Sequence, residues 1–288
     1  MCLMCLLILL TIAFIVVFYI FVTTTSFFVL EKDQSFNPKS YSLESDGSLQ
    51  VYFINLDKSK KRLEYITPQL QALGYNFERI PGIYGADIPE DELERITAYE
   101  RLNREFKDSG TVGCYLSHMK AWRSFLESSH KYALICEDDI EFDPEELRQI
   151  IDGILQAKSK WDIVNLEIGH RGHPSLVESL PGTKCGLYKY RTRVSHMGCY
   201  LINRNAAIKL LSKALPALMD VDQYFSRSWE LGTIFRGVEP RIVHQKFGDS
   251  EIANQKSAPK ERSLRIKING WVFSLKTDAA FFVHSLFF

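Results

Sequence analysis

Apolar and polar positions along the 288-residue chain fall into blocks of different period. The first block is apolar almost throughout: Cys2 to Val22 has only Thr11 as a plainly polar residue, and after Thr23 to Ser26 the apolar character returns at Phe27 to Leu30. A run of that length crosses the roughly 30 Å hydrocarbon layer as a helix. No Lys or Arg precedes it and no Ala-x-Ala follows, so residues 1–30 read as a retained transmembrane anchor rather than a cleaved signal. Residues 31–48, rich in Ser, Asp, Asn and Pro, read as a linker. From Leu49 onward strand and helix periods alternate. Val51 to Asn55 is a compact apolar strand. Lys58 to Leu73 sets Leu63, Ile66, Leu70 and Leu73 at helical spacing before Gly74, with Pro68 inside, and Asn76 to Ile80 is a second strand ahead of a polar stretch to Gly110. Gly113 to Ser128 reads as a helix, Tyr132 to Cys136 as a buried strand, Pro144 to Ala157 as a helix with Pro in its first turn, and Trp161 to Leu166 as a buried strand. Strands near Leu187 to Val194 and Gly198 to Ile202 follow, then helices over Asn205 to Ala214 and Asp220 to Glu230. The alternation predicts an α/β fold with a mostly parallel central sheet.

Composition narrows the function. With 35 basic and 35 acidic residues there is no net field to gather nucleic acid, and none is expected as a partner. The six cysteines show no zinc-type Cys/His spacing in the domain and are expected as free thiols, Cys136 buried. Lys32 and Lys39 follow the apolar run and nothing basic precedes it, which places the domain on the cytoplasmic side of a single-pass anchor. The lack of an Asn-x-Ser/Thr acceptor agrees with that side; a Golgi or ER lumen is the alternative in a eukaryote.

The sharpest chemical feature is Tyr132-Ala-Leu-Ile-Cys-Glu-Asp-Asp139, an apolar strand ending in three carboxylates. Open α/β sheets bind ligands beyond the carboxyl ends of their strands. Strand alternation directs Glu137 and Asp139 one way and Asp138 the other, an acid-x-acid pair suited to Mn²⁺ or Mg²⁺. Acids just before Asp143-Pro144 also suit a helix N-terminus. Neither GxGxxG after the first strand nor GxxxxGK[ST] is present, so Asn55 and Asp57 at the end of the first strand, with Arg62 beyond it, are the alternative contacts for a nucleotide. His118 precedes the carboxylate strand on a helix, where packing is a commoner role than ligation, and Asp220 and Asp222 open a helix where N-capping competes with catalysis.

These segments in order resemble glycosyltransferase family 25, which includes lipooligosaccharide galactosyltransferases and collagen-modifying galactosyltransferases. The blocks are Val51-Tyr-Phe-Ile-Asn-Leu-Asp57 with Arg62, Phe77-Glu-Arg-Ile-Pro-Gly-Ile-Tyr-Gly85, Gly113-Cys-Tyr-Leu-Ser-His-Met-Lys-Ala-Trp122, Ala133-Leu-Ile-Cys-Glu-Asp-Asp-Ile140, Gly198-Cys-Tyr-Leu-Ile202, Asp222-Gln-Tyr-Phe225 and Val243-His-Gln-Lys-Phe-Gly-Asp-Ser-Glu-Ile252. The resemblance implies a GT-A-like nucleotide-sugar-binding domain over residues 49–258, followed by an extension at 259–288. It implies inverting, metal-assisted transfer of a hexose, galactose from UDP-galactose in the common bacterial case, to a glycan or glycolipid acceptor such as a lipopolysaccharide core; a protein hydroxyl is the alternative acceptor. Asp139 would be the main metal ligand with Glu137 and His244. Asn55, Asp57, Arg62, Ser117, His118, Glu137 and Asp138 would contact the donor, and Asp222 would be the base. Two other classes compete: a degenerate transferase fold that binds glycan without catalysis, and a metal-dependent phosphohydrolase, for which no second His/Asp block is present.

Overall fold

The computed structural model describes residues 30, 32–33, 35–97, 109–247 and 264–287, the last stretch with side chains from 274 to 286. The apolar run at residues 2–22 lies outside the described residues. Among those described, no helix is long and apolar enough to cross a membrane. In chain order the elements are β1 (Leu49–Asn55), α1 (Lys60–Leu73), β2 (Phe77–Pro81), α2 (Glu90–Thr97), α3 (Ser109–Glu127), β3 (Tyr132–Glu137), β4 (Ile140–Glu141), α4 (Pro144–Gln156), β5 (Ile163–Asn165), β6 (Gly169–His170), β7 (Ser175–Ser179), β8 (Gly186–Lys189), β9 (Val194–Ser195), β10 (Cys199–Asn203), α5 (Arg204–Leu211), α6 (Val221–Phe225), α7 (Ser228–Leu231), β11 (Phe235–Glu239), β12 (His244–Gln245) and α8 (Leu264–Phe287).

Eight strands form one sheet in the order β2-β1-β3-β10-β5-β11-β8-β7. The pairs β1/β2, β1/β3 and β5/β11 are parallel, whereas β3/β10, β10/β5, β11/β8 and β8/β7 are antiparallel. The expected mostly parallel sheet is therefore corrected to a mixed one. Two strands run against the rest: β8, between β11 and β7, and β10, between β3 and β5. Buried on both faces, the Cys199-Tyr-Leu-Ile run of β10 has the continuous apolar look of a parallel strand, and hydropathy carries no direction.

Side-chain alternation divides the core into two layers. Val51, Phe53, Leu134 and Cys136 pack with Ile66, Leu70, Ile150 and Ile154 of α1 and α4. Tyr52 and Ile135 pack on the other face with Trp122 and Phe125 of α3 and with Tyr200, Leu210 and Phe225. The register Val51↔Leu134 and Phe53↔Cys136 keeps both strands in phase, so β1 and β3 end side by side. Helix α1 runs unbroken through Pro68 and stops at Gly74, whose φ of 80° supplies the left-handed cap. The described cysteines are free, and Cys136 is buried as expected.

Other expectations need correction. The expected single helix over Asp220 to Glu230 is two short helices, α6 and α7. Leu30, the last residue of the expected anchor, and part of residues 31–48, read as a linker, lie against the domain: Leu30, Asp33 and Phe36 are buried, and the Asp33 N–H donates to the Ser212 carbonyl at 2.7 Å. Two aromatic or aliphatic anchors suffice to dock an otherwise polar segment. Helix α8 packs on the domain through Thr277, Phe281 and Ser285, with Phe281 edge-on to Trp229 at 4.9 Å and Asp278 paired to Arg193 at 2.9 Å.

Candidate active site

At the carboxyl ends of β1 and β3 opens a cleft lined by Arg62, Ser117, His118, Glu137, Asp138 and Asp139 and exposed to solvent on one side. Its floor is the acidic triplet. Strand β3 ends at Glu137, and Asp138 and Asp139 form the turn to β4, so strict alternation stops at Glu137. Each carboxylate then finds donors on a different element. Asn55, the last residue of β1, donates from Nδ2 to Asp138 Oδ2 at 2.6 Å, and Arg62 of α1 donates to Asp138 Oδ1 and to Asp139 Oδ2, both at 3.2 Å. Arg79 of β2 fixes the Asn55 amide by donating to its Oδ1 at 2.9 Å and also pairs with Asp57, which is exposed. Gln245 of β12 donates to Asp139 Oδ2 at 3.0 Å, and the Lys246 N–H donates to the Asp139 carbonyl at 2.7 Å.

Glu137 faces α3. His118 Nε2 lies 3.1 Å from Glu137 Oε1, and its Nδ1 lies 3.1 Å from the Tyr200 hydroxyl, which accepts from Trp122 Nε1 at 2.8 Å. Since Trp122 can only donate, the relay that satisfies every member runs from the indole to the phenol, from the phenol to Nδ1, and from Nε2–H to the carboxylate. Ser117, buried one position earlier, accepts from the Ile83 N–H at 2.8 Å and donates to the Gly113 carbonyl at 2.6 Å, which ties the loop after β2 to the helix. That contact is close: a Cβ on Gly113 would sit 2.6 Å from the Ile83 carbonyl oxygen.

The electrostatics follow from burial. Burial raises Glu137, but the hydrogen bond from His118, with the charge of Arg62, outweighs it and holds the carboxyl below its ordinary value. Asp138 is raised by burial despite Asn55 and Arg62. Asp139 is pushed up to about 7 by burial and by the charge of Glu137. Burial and the charges of Glu137, Asp222, Asp139 and Asp220 also push the Cys114 thiol well above its usual range, so the carboxylates at the start of α6 lie within electrostatic range of that side chain. Asp222 Oδ2 accepts from the His196 N–H at 3.2 Å, and burial followed by the charge of Asp220 pushes its carboxyl up to about 6. His196 holds a left-handed backbone, φ 66°, with its ring 3.2 Å from Glu167 Oε1 and its carbonyl accepting from Asn165 Nδ2 at 2.8 Å.

The donor set fits a hard divalent cation. Asp139 Oδ1 is buried and has no hydrogen-bond partner among the described residues, and its carboxyl is raised first by burial and then by the charge of Glu137. Oxygen ligands with excess negative charge are what Mg²⁺ and Mn²⁺ take. His244 does not join them. It is exposed on β12 opposite Glu141, and the adjacent Gln245 is the residue that reaches Asp139. The structure thus brings together Asn55, Arg62, Ser117, His118, Glu137, Asp138 and Asp139, sets Asp57 at the rim and Asp222 nearby, and leaves His244 outside.

A family model for glycosyltransferase family 25 (LPS biosynthesis protein) matches residues 48–225, more than half of the chain. The chain belongs to glycosyltransferase family 25. Every expected site residue except His244 lies inside the matched span. A glycosyltransferase 25 family member of Drosophila pseudoobscura pseudoobscura is 26% identical over 186 residues, 60% of this chain and 29% of the relative. The procollagen galactosyltransferase 1-A of Xenopus laevis is 25% identical over 190 residues, 61% of this chain and 30% of the relative. The chain therefore spans about 30% of the length of these curated relatives. A solved glycosyltransferase involved in glycosylation of the major capsid of PBCV-1 aligns with TM-score 0.37 at 10% identity, over 72% of this chain and 96% of that one. Gln245, which lines the cleft, Arg79, which braces Asn55, and the His196–Glu167 pair beside Asp222 carried no assignment from sequence. For Gln245 the only signal was that adjacent residues on a strand face opposite ways, so that His244 and Gln245 cannot both reach the cleft.

Proposed function

We propose that this family-25 chain is a metal-assisted, inverting hexosyltransferase of GT-A type that moves galactose from UDP-galactose to an acceptor hydroxyl. The observation that carries this reading is the buried Asp139 Oδ1, without a hydrogen-bond partner among the described residues, at the head of an acidic strand end that lines the cleft. Asp139 and Glu137 would hold Mn²⁺ or Mg²⁺, which supplies charge neutralisation for the departing diphosphate. Arg62 and Asn55 keep Asp138 and Asp139 in place, and His118 keeps Glu137 ionised. In the transfer, the acceptor oxygen bonds to the anomeric carbon, the bond from that carbon to the diphosphate oxygen breaks, UDP leaves, and Asp222 takes the acceptor proton.

The acceptor in the first reading is a glycan or glycolipid of lipopolysaccharide-core type, in line with the family description. The name of the Xenopus relative favours a protein hydroxyl as the second. The apolar run at residues 2–22 would anchor the chain in a membrane with the domain on the cytoplasmic side, which carbonate extraction and protease protection of the full chain test.

The deciding experiment is calorimetric titration of the full chain in detergent with UDP-galactose, UDP-glucose and UDP, with Mn²⁺ and then with chelator. Binding that needs the metal and is lost in Asp139→Asn, with UDP-galactose consumed only when a glycan or peptide hydroxyl is present, is the expected result. Glycan binding without any nucleotide sugar or metal would mark a binding module instead.

A further inference from the structure

Cys114 and His118 lie one turn apart on α3 and both point at Glu137. The Cys114 Sγ, His118 Nε2 and Glu137 carboxylate oxygen lie within 4.8 Å of one another, with His118 Nε2 3.1 Å and Cys114 Sγ 3.9 Å from Glu137 Oε1. Ligand atoms around a tetrahedral zinc ion at bonds of about 2.0–2.3 Å sit roughly 3.3–3.6 Å apart. The three atoms need move only a few tenths of an ångström to about one ångström to match. We propose that Cys114, His118 and Glu137 form a second metal site in the cleft, selective for a soft divalent ion such as Zn²⁺ and separate in chemistry from the all-oxygen set at Asp139.

Three features support it. Two ligands at i and i+4 of one helix with a third from a neighbouring strand is an arrangement whose geometry the backbone holds before any ion arrives. His118 is buried and its second nitrogen is already held by the Tyr200 hydroxyl, itself fixed by Trp122, as the outer ring nitrogen of a metal-bound histidine usually is. The donor types differ from those at Asp139: thiolate and imidazole favour zinc-type ions over Mg²⁺ or Mn²⁺. Binding is balanced by one proton leaving the thiol for solvent and by the His118 proton moving from Nε2 to Nδ1, where Tyr200 accepts it. Glu137 belongs to both sites, so a soft ion here competes with the donor site and inhibits transfer.

The site itself is tested without any transferase assay, by titrating the full chain with Co²⁺ alone in a background where Cys2→Ser and Cys5→Ser remove the N-terminal thiols. A thiolate-to-cobalt charge-transfer band is expected, and Cys114→Ser should abolish it, with circular dichroism unchanged. Loss of an outer partner alone weakens metal sites by about 10–100-fold, so Cys114→Ser should weaken Co²⁺ binding by at least about 10-fold. Glu137→Gln should keep the band but shift it to higher Co²⁺. No band in the background protein, or a band that survives Cys114→Ser, overturns the proposal whatever becomes of the transferase reading.

Discussion

Asp222→Asn should make the protein more stable and nearly inactive. The carboxyl stands at about 6 against an ordinary 3.8, raised by burial first and the charge of Asp220 second, and restrained by the backbone N–H groups of His196 and Gln223. For an acid whose folded pKa exceeds its unfolded one, the fold prefers the protonated form. The cost is absent below about pH 3.8, grows as pH rises, and is complete above about 6. A shift of roughly 2 units at 1.36 kcal/mol each sets an upper bound of about 3 kcal/mol at pH 7. Asn keeps the oxygen that accepts the His196 N–H and carries no charge, so denaturant titration at pH 7 should show a gain of about 1–3 kcal/mol that vanishes near pH 4. Activity moves the opposite way. A base must be ionised, so kcat should rise with pH through about 6, from roughly a tenth of its plateau at pH 5 to about nine-tenths at pH 7. Loss of a general base costs about 10²–10⁴-fold in kcat. Asp220→Asn should move the midpoint of the pH profile downward while preserving the plateau. An Asp222→Asn protein that retained more than about a tenth of wild-type kcat would remove Asp222 from the mechanism, and an unmoved midpoint in Asp220→Asn would refute the electrostatic account.

Arg204, 4% exposed, donates to five carbonyls, those of Ser42, Phe125, Leu126, Ser128 and His130, and so closes the C-terminal end of α3. Arg204→Met strands several of these acceptors and should cost about 3–5 kcal/mol in urea denaturation followed by Trp fluorescence, with Arg204→Lys recovering less than half because an ammonium lacks the fork. Ser117→Ala leaves the Ile83 N–H without its 2.8 Å acceptor. It should cost about 1–3 kcal/mol and speed hydrogen exchange at the Ile83 amide, which a purely packing role for Ser117 would leave unchanged.

What could be read from sequence was whatever depends on one segment at a time. The β3 run and its acidic end announce themselves because a buried strand cannot continue through three carboxylates. Helices α1, α3 and α4 show in the spacing of Leu63, Ile66 and Leu70, of Tyr115, Met119 and Trp122, and of Leu147, Ile150 and Ile154. Helix α2 is hidden, since Glu90, Asp91, Glu92 and Glu94 mask the two apolar anchors Leu93 and Ile96. The expectation for His244 failed for another reason. Alternation says that only one of His244 and Gln245 faces the cleft, and which one is set by the pairing of β12 with β4, a contact more than 100 residues distant in sequence. Asn55 was expected near the nucleotide, yet its partners Arg79, 24 residues away, and Asp138, 83 residues away, appear only when β2, β1 and β3 lie side by side.

The same dependence explains how the chain tolerates three adjacent acids at a buried strand end. Each carboxylate is held by a donor from another element: Asn55 from β1, Arg62 from α1, His118 from α3 and Gln245 from β12. Even so the compensation is incomplete, because Arg62 is shared between Asp138 and Asp139, and Asp139 Oδ1 keeps no partner among the described residues. Buried charge left in this state opposes folding, and a sequence selected only for stability would replace it by apolar groups or supply a further cation. Local rules are broken in this way where a site must be ready for something that arrives later. The residual negative charge lies where the strands end and the cleft opens, so an incoming cation gains there what the fold has forgone.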